Sequence, residues 1–195
     1  MEIVLATTNP GKIAEVNSLF KDSGISILSI NDAKVPALEV EETGDTFAEN
    51  AELKARAFAV ATGLPVLADD SGLEVTALGN QPGVKSARWV SGSDTDRNTA
   101  LLEKLSTIKD RSARFKTVIC YLENADAEPH FFVGTVSGTI NTVASGKTGF
   151  GYDPIFIPDG HTQTFAELGM DVKNKLSHRA QAFTQAATFL NKRQN

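Results

Sequence analysis

The sequence predicts an α/β or mixed α+β domain built on a central sheet, and three observations carry that expectation. Short apolar runs alternate with helix-spaced apolar positions in the first half of the chain. Two long β-rich runs, 114–122 and 131–140, flank the polar segment 123–130, which makes an antiparallel hairpin their natural pairing. A stretch after Ser177 then carries an apolar helical stripe. A length of 195 residues bounds the chain to one domain, or to two small lobes sharing a core. Roughly 70% of the unfolded surface can be buried at this size, so no disulfide or structural metal is needed.

Each element has its own signal. Residues 2–6 read as a short buried strand, broken by Thr7-Thr8-Asn9-Pro10-Gly11. From Lys12 to about Phe20, Ile13, Val16, Leu19 and Phe20 recur at helical spacing. Thr46-Phe47-Ala48-Glu49 is a capping-box pattern opening a second helix through Ala61, closed by Gly63 and Pro65. Pro65 to Ala68 is strand-like and leads into Asp69-Asp70-Ser71-Gly72, after which Leu73-Glu74-Val75 resumes the strand pattern. A third helix starts near Asp94–Asp96, with Leu101, Leu102, Leu105 and Ile108 inward. The last has Ser177 as N-cap and Ala180, Phe183, Ala187 and Leu190 on one stripe. No repeat, linker or low-complexity segment interrupts this order.

Composition narrows the function. Nineteen basic against 24 acidic residues give a formal charge of −5, which argues against a general nucleic-acid or membrane-surface binder but leaves room for a phosphorylated small molecule. Cys120 is the only cysteine, as expected in a reducing compartment. The opening Met-Glu-Ile-Val-Leu-Ala lacks a basic n-region, and no stretch approaches the ~20 apolar residues that span a bilayer. A cytoplasmic location is expected.

Four segments could carry chemistry. Thr7 to Lys12 places a polar turn between strand and helix, where helix amides and dipole favour an anion; the plain alternative is an ordinary turn with a surface lysine. Gly146-Lys147-Thr148 lacks the upstream glycine of a Walker A loop, and Gly146 to Gly151 does not fit the dinucleotide spacing. Asp69-Asp70-Ser71-Gly72 puts two acids at the end of an apolar strand, suited to Mg²⁺ carrying phosphate or to a turn capping its own backbone. Adjacent strand residues point to opposite faces, so one acid would face a site while the other holds the turn. The same alternation puts Glu39 and Glu41 on one face of Glu39-Val-Glu-Glu-Thr-Gly44, unless that run is a solvated loop. Gly149-Phe150-Gly151-Tyr152-Asp153-Pro154 offers an aromatic on flexible backbone, able to stack on a base or to form a bulge with core aromatics. Lys173 and Ser177-His178-Arg179 complete the set. Cations in a helix's first turn oppose its dipole, which makes sense where an anion binds.

Together these motifs resemble, over essentially the full length, the house-cleaning inosine-triphosphatase or dITP/XTP pyrophosphatase family. The resemblance rests on Thr7-Thr-Asn-Pro-Gly-Lys12, Glu41-Glu-Thr-Gly44, Thr46-Phe-Ala-Glu-Asn-Ala51 with Lys54, Asp69-Asp-Ser-Gly72, Pro82-Gly83 with Ser86-Ala-Arg88, Phe150-Gly-Tyr-Asp-Pro154 and Ser177-His-Arg179. Departures are small: Lys85 and Trp89 stand where tyrosine is common, and Ala180 where glycine is usual.

The resemblance implies one nucleoside-triphosphate pyrophosphatase domain over 1–195, with an elongated mixed sheet, flanking helices, two lobes around a cleft and a homodimer. It implies Mg²⁺-dependent hydrolysis of dITP, ITP or XTP at the α–β phosphoanhydride, releasing the monophosphate and pyrophosphate. Thr7, Thr8, Asn9, Pro10, Gly11 and Lys12 would hold phosphates with Lys54, Lys173 and Arg179. Asp70 matches the proton acceptor, and Glu41 with Asp70 the metal ligands, Glu42 or Asp69 being able to replace or support them. Ser71, Phe150, Gly151, Tyr152, Asp153 and His178 match the nucleoside contacts, with Phe150 stacking on the base. An ordinary aspartate is a weak base at neutral pH, so Asp70 would act on a water polarised by the metal. Selection against adenine would use donors facing the purine 6-oxygen, among backbone N–H groups of Phe150–Asp153, His178 and Arg179. Two other classes remain: a Maf-like pyrophosphatase, which would lack Ser177-His178-Arg179, and a non-catalytic nucleotide sensor, which would need no general base.

Overall fold

The first strand, β1 (Glu2–Leu5), is buried on both faces: Ile3 and Leu5 enter one apolar cluster, Val4 and the following Ala6 another. A near-continuous apolar run is what a strand covered on both sides requires. The structure, a computed structural model, describes residues 1–195 apart from 22, 34–37, 39 and 195. Glu39 therefore lies outside the described residues.

Around β1 the first helices form where the caps place them. Asn9 is the N-cap of α1 (Pro10–Phe20) and Pro10 its first residue, so the helix begins two residues before Lys12. Proline fits there because its missing N–H would be unsatisfied in any case. A parallel strand, β2 (Ser26–Leu28), follows beside β1; its three residues are too few to give a periodic signal. The capping box of α2 (Phe47–Thr62) is formed in both directions between Thr46 and Glu49. Gly63, at φ +66°, ends that helix with its N–H on the Ala59 carbonyl.

The strand β3 (Val66–Val75) corrects one expectation. Instead of stopping at Asp69-Asp70-Ser71-Gly72, it runs through all four residues, parallel to β1. Both buried acids have partners.

The other strands are β4 (Gln81–Pro82), antiparallel to β3, then β5 (Ser112–Leu122), β6 (His130–Ile140) and β7 (Phe156–Pro158). The sheet has seven strands in the order β2-β1-β3-β5-β6-β7, with β4 on β3. The short connection between the neighbours β5 and β6 excludes a parallel crossover, so they form the expected hairpin. The remaining helices are α3 (Asp94–Lys104), α4 (Phe165–Leu168), α5 (Met170–Leu176) and α6 (His178–Gln194). None of the described helices is long and apolar enough to cross a membrane.

The chain divides into two compact units: 1–70 with 117–134 and 179–195, and 71–116 with 135–178. In the first, α1 and α6 cover one face of the sheet through Val16, Phe20, Phe183 and Leu190, while α2 covers the other through Ala51, Ala55 and Phe58. The second has its own core of Leu73, Leu101, Leu105, Phe115, Ile155, Phe156 and Phe165.

Candidate active site

In the first unit the pleat of β3 sends its two aspartates opposite ways. Asp69 shares the face of Leu67, towards α1 and α6, and is 1% exposed. Its Oδ2 lies 2.8 Å from Lys12 Nζ and 3.7 Å from Arg179 Nε. Burial alone would raise the Asp69 carboxyl, but Lys12, Arg179 and Lys54 outweigh it and hold the group well below the usual carboxylate range. Asp69 is an anion held between cations, not a turn-former.

Arg179, at the start of α6, also bonds the buried Glu15 of α1, Nη1 to Oε2, at 2.9 Å. The charge that opposes the helix dipole is thus compensated by two protein carboxylates. A ligand is therefore not needed to explain a cation at that position.

Asp70 faces α2. Its Oδ2 accepts from Asn50 Nδ2 at 3.2 Å, and its Oδ1 lies 3.8 Å from Lys54 Nζ. Burial pushes the Asp70 carboxyl up, with Glu42 adding to the rise and Lys54 opposing it. Lys54 Nζ donates to Glu42 Oε1 at 2.6 Å; burial lowers the lysine, yet Asp69, Asp70 and Glu42 together leave it raised. The fully buried Asn50 also accepts from Gly44 N at 2.8 Å, which ties the acidic loop to Asp70. Only glycine fits there, since a Cβ on Gly44 would lie 2.6 Å from Glu49 Cβ. Of the two loop acids, Glu42 is the one brought to Lys54 and Asp70, whereas Glu41 is exposed.

The first loop is open to solvent at Thr8, Asn9 and Pro10 and half-buried at Thr7 and Gly11. Asn9 Oδ1 already accepts from Gly11 N at 2.9 Å and Lys12 N at 3.2 Å. An incoming phosphate would meet Lys12 and the loop with two of the helix amides taken.

These donors fit a magnesium ion. Glu42 and Asp70 present hard carboxylate oxygens around a cationic Lys54, so the place already favours positive charge. Among the described residues no group of three or more His, Cys, Asp and Glu is arranged for a metal. Two protein carboxylates suit Mg²⁺, which takes its other ligands from water and substrate phosphates.

In the second unit the loop 149–153 is fixed tightly. Asp153, 2% exposed, accepts from Lys173 Nζ at 2.6 Å and from Phe150 N at 2.9 Å. Lys173 Nζ lies 4.3 Å from the centroid of the half-buried Phe150 ring, so this lysine is engaged with Asp153 and Phe150. Gly149, at φ +78°, is required: a Cβ there would stand 2.3 Å from Asp153 Oδ2. Tyr152 is buried, its hydroxyl donating to the Ser86 carbonyl at 3.0 Å, and burial pushes that phenol up to about 12. His178 stacks on Phe115 at 4.8 Å, and Ser71 is half-buried in β3.

Three of the loop amides, expected among the donors that read a base, have partners within the protein. Phe150 N goes to Asp153 Oδ2, Gly151 N to Asp94 Oδ2, and Asp153 N to the Phe150 carbonyl. Four organising residues had not been anticipated. Glu15 was signalled by its i,i+3 spacing from Lys12. Asn98 was signalled by its place three residues before Leu101 on an inward stripe. Asn50 and Asp94 gave no local signal.

Comparisons with known proteins agree on a family. The Ham1 family model matches residues 3–189. The dITP/XTP pyrophosphatase of Symbiobacterium thermophilum is 47% identical over 186 residues, covering 94% of this chain and 91% of that one. The protein of the same name from Coxiella burnetii is 46% identical over 195 residues, covering 97% and 96%. Among solved structures, a HAM1 protein from Coxiella burnetii superposes with a TM-score of 0.90 at 45% identity, over 98% of this chain and 99% of that one. The Staphylococcus aureus Ham1 protein gives 0.87 at 42% identity, over 99% and 100%. On this match along nearly its whole length, the chain belongs to the Ham1 family.

Proposed function

We propose that this protein hydrolyses deaminated purine nucleoside triphosphates, dITP, ITP and XTP, to the monophosphate and pyrophosphate. The observation that carries this reading is the division of labour at the two acids of β3. Asp69 keeps Lys12 and Arg179 together as a cationic seat for phosphates. Asp70, raised by burial and set on the other face beside Lys54 and Asn50, is a carboxylate with proton affinity nearer to what a base needs at neutral pH. Water adds to phosphorus at the α–β bridge, Asp70 takes its proton, the bridging P–O bond breaks, and pyrophosphate leaves. Lys12, Lys54 and Arg179 offset the charge that develops on the phosphate oxygens. Asp70 and Glu42 would hold Mg²⁺, which when bound supplies charge compensation and polarises water.

Phe150 offers its ring to the purine, beside Lys173. The donors for the 6-oxygen would lie among the backbone N–H groups of Phe150–Asp153, His178 and Arg179, three of the loop amides already having partners within the protein. Adenine, with an amino group at position 6, would set donor against donor there. A cytoplasmic homodimer belongs to the same proposal, supported by the reducing-compartment composition and the resemblance.

The test is kcat/KM for ITP, XTP, GTP and ATP with pyrophosphate as the readout, with and without chelator. ITP and XTP should exceed ATP by ~10²-fold or more. Chelator should abolish turnover and Mg²⁺ restore it. Equal values for ITP and ATP would overturn the base preference. Undiminished hydrolysis in excess chelator would remove the metal, and with it the ligand roles of Asp70 and Glu42.

A further inference from the structure

The backbone of Gly151 is held on both sides by one helix. On α3, Asp94 Oδ2 accepts from Gly151 N at 2.6 Å, and Asn98 Nδ2 donates to Gly151 O at 3.0 Å. Asp94 and Asn98 are four residues apart, so they stand on one face, a turn from each other. Asn98 is 5% exposed and sits at the edge of the apolar stripe containing Leu101, so its position is fixed by the core of the second unit. Asp94 is braced in turn by Arg97. Gly151 itself, at φ +62°, has nothing within 4 Å of where a Cβ would be, so glycine serves the backbone conformation there and not a shortage of space.

One consequence reaches Phe150. Its N–H is tied to Asp153, and the next residue is clamped to α3, so the ring is carried by a peptide fixed at both ends. We infer that Asn98 and Asp94 are positioning residues for purine recognition: they set the Phe150 ring through Gly151 and touch neither the reacting phosphates nor the base. This rests on the reading that Phe150 stacks on the base.

The experiment compares Asn98→Ala, Asp94→Ala and Asp94→Asn with the unaltered protein and with Thr95→Ala, an exposed change on the same turn. KM for ITP should rise about three- to tenfold in Asn98→Ala and in Asp94→Ala, with kcat within about twofold. Asp94→Asn keeps an oxygen for Gly151 N and should restore most of the affinity. Thr95→Ala should change nothing. Inhibition by pyrophosphate, which needs only the phosphate seat, should be unaltered in every variant. An unchanged KM in both alanine variants, while the unaltered protein hydrolyses ITP, overturns the inference and leaves the function standing. So does pyrophosphate inhibition that weakens in step with KM, because the residues would then act on the whole fold. If Asn98→Ala does not fold, the half-exposed Asp94 pair decides alone. An unaltered protein that fails to hydrolyse ITP overturns the function itself, and the inference with it.

Discussion

Asp69 and Asp153 are both buried aspartates paired with a lysine, one in each unit, and they are used differently. Asp69 lies mid-strand at 2.8 Å from Lys12, with Arg179 next to it. Asp153 lies in a turn at 2.6 Å from Lys173 and also accepts from the Phe150 amide. The first gathers mobile side-chain charges into one place; the second fixes a stretch of backbone.

Removing each aspartate gives the largest effect expected and separates the two uses. Asp69→Asn and Asp153→Asn should each cost ~3–5 kcal/mol in urea unfolding, because a buried cation, Arg179 with the half-buried Lys12 in one case and Lys173 in the other, loses its counter-charge. Their functional signatures should part company. Asp69→Asn should alter pyrophosphate inhibition, whereas Asp153→Asn should raise KM for ITP and leave that inhibition intact. Identical signatures would dissolve the comparison.

The next effect concerns the neighbour of Asp69. Asp70→Asn keeps the volume and the place beside Asn50 but loses the proton acceptor, so kcat should fall ~10²-fold or more while the melting temperature holds. Near-native turnover would move the base elsewhere, with Asp69 the first suspect. Smaller again is Gly149→Ala. A methyl group 2.3 Å from Asp153 Oδ2, on backbone at φ +78°, should cost ~1–2 kcal/mol and raise KM for ITP, with kcat little changed. An unaffected KM would show that Phe150 does not depend on the lock.

Smallest is Cys120, fully buried in the first unit and outside both devices. Burial pushes its thiol up to about 12. The folded chain therefore holds this proton more tightly than the unfolded chain, whose thiol titrates near ~8.5. Stability from this group is complete below that value and is lost as pH rises from there towards 12, the loss amounting to roughly 0.8 kcal/mol at pH 9. The thiol should resist alkylation at pH 8 until the protein unfolds. Rapid labelling of folded protein would contradict the burial.

How much of this the sequence shows depends on whether the signal is local. The α2 capping box, the β5–β6 hairpin and the α6 stripe are local patterns, and the structure has them. Asp69 to Gly72 read as a break because acids and glycine are poor strand formers, whereas the partners that keep the strand whole are Lys12, Asn50, Lys54 and Arg179, far away in sequence. The same distance hid which loop acid meets Asp70. Alternation put Glu41 on one face with Glu39, and the resemblance matched Glu41 to a metal ligand with Glu42 as a possible replacement; Glu42 has Lys54 to hold it. Asp94 looked like a routine first-turn acid of α3, and its acceptance from Gly151 N spans more than fifty positions of chain.

The continuity of β3 through its two acids makes the reading frame of that strand part of the chemistry. Facing alternates residue by residue, so deleting one codon between those for Val66 and Asp69 would turn the pair over. The acid meant for α2 would point at Lys12, and the acid meant for the cations at Asn50. Both acids would still be present in the gene product, yet charge store and base would have changed places. Substitution tables never sample such a lesion, and a scan of single-codon deletions would find it at once.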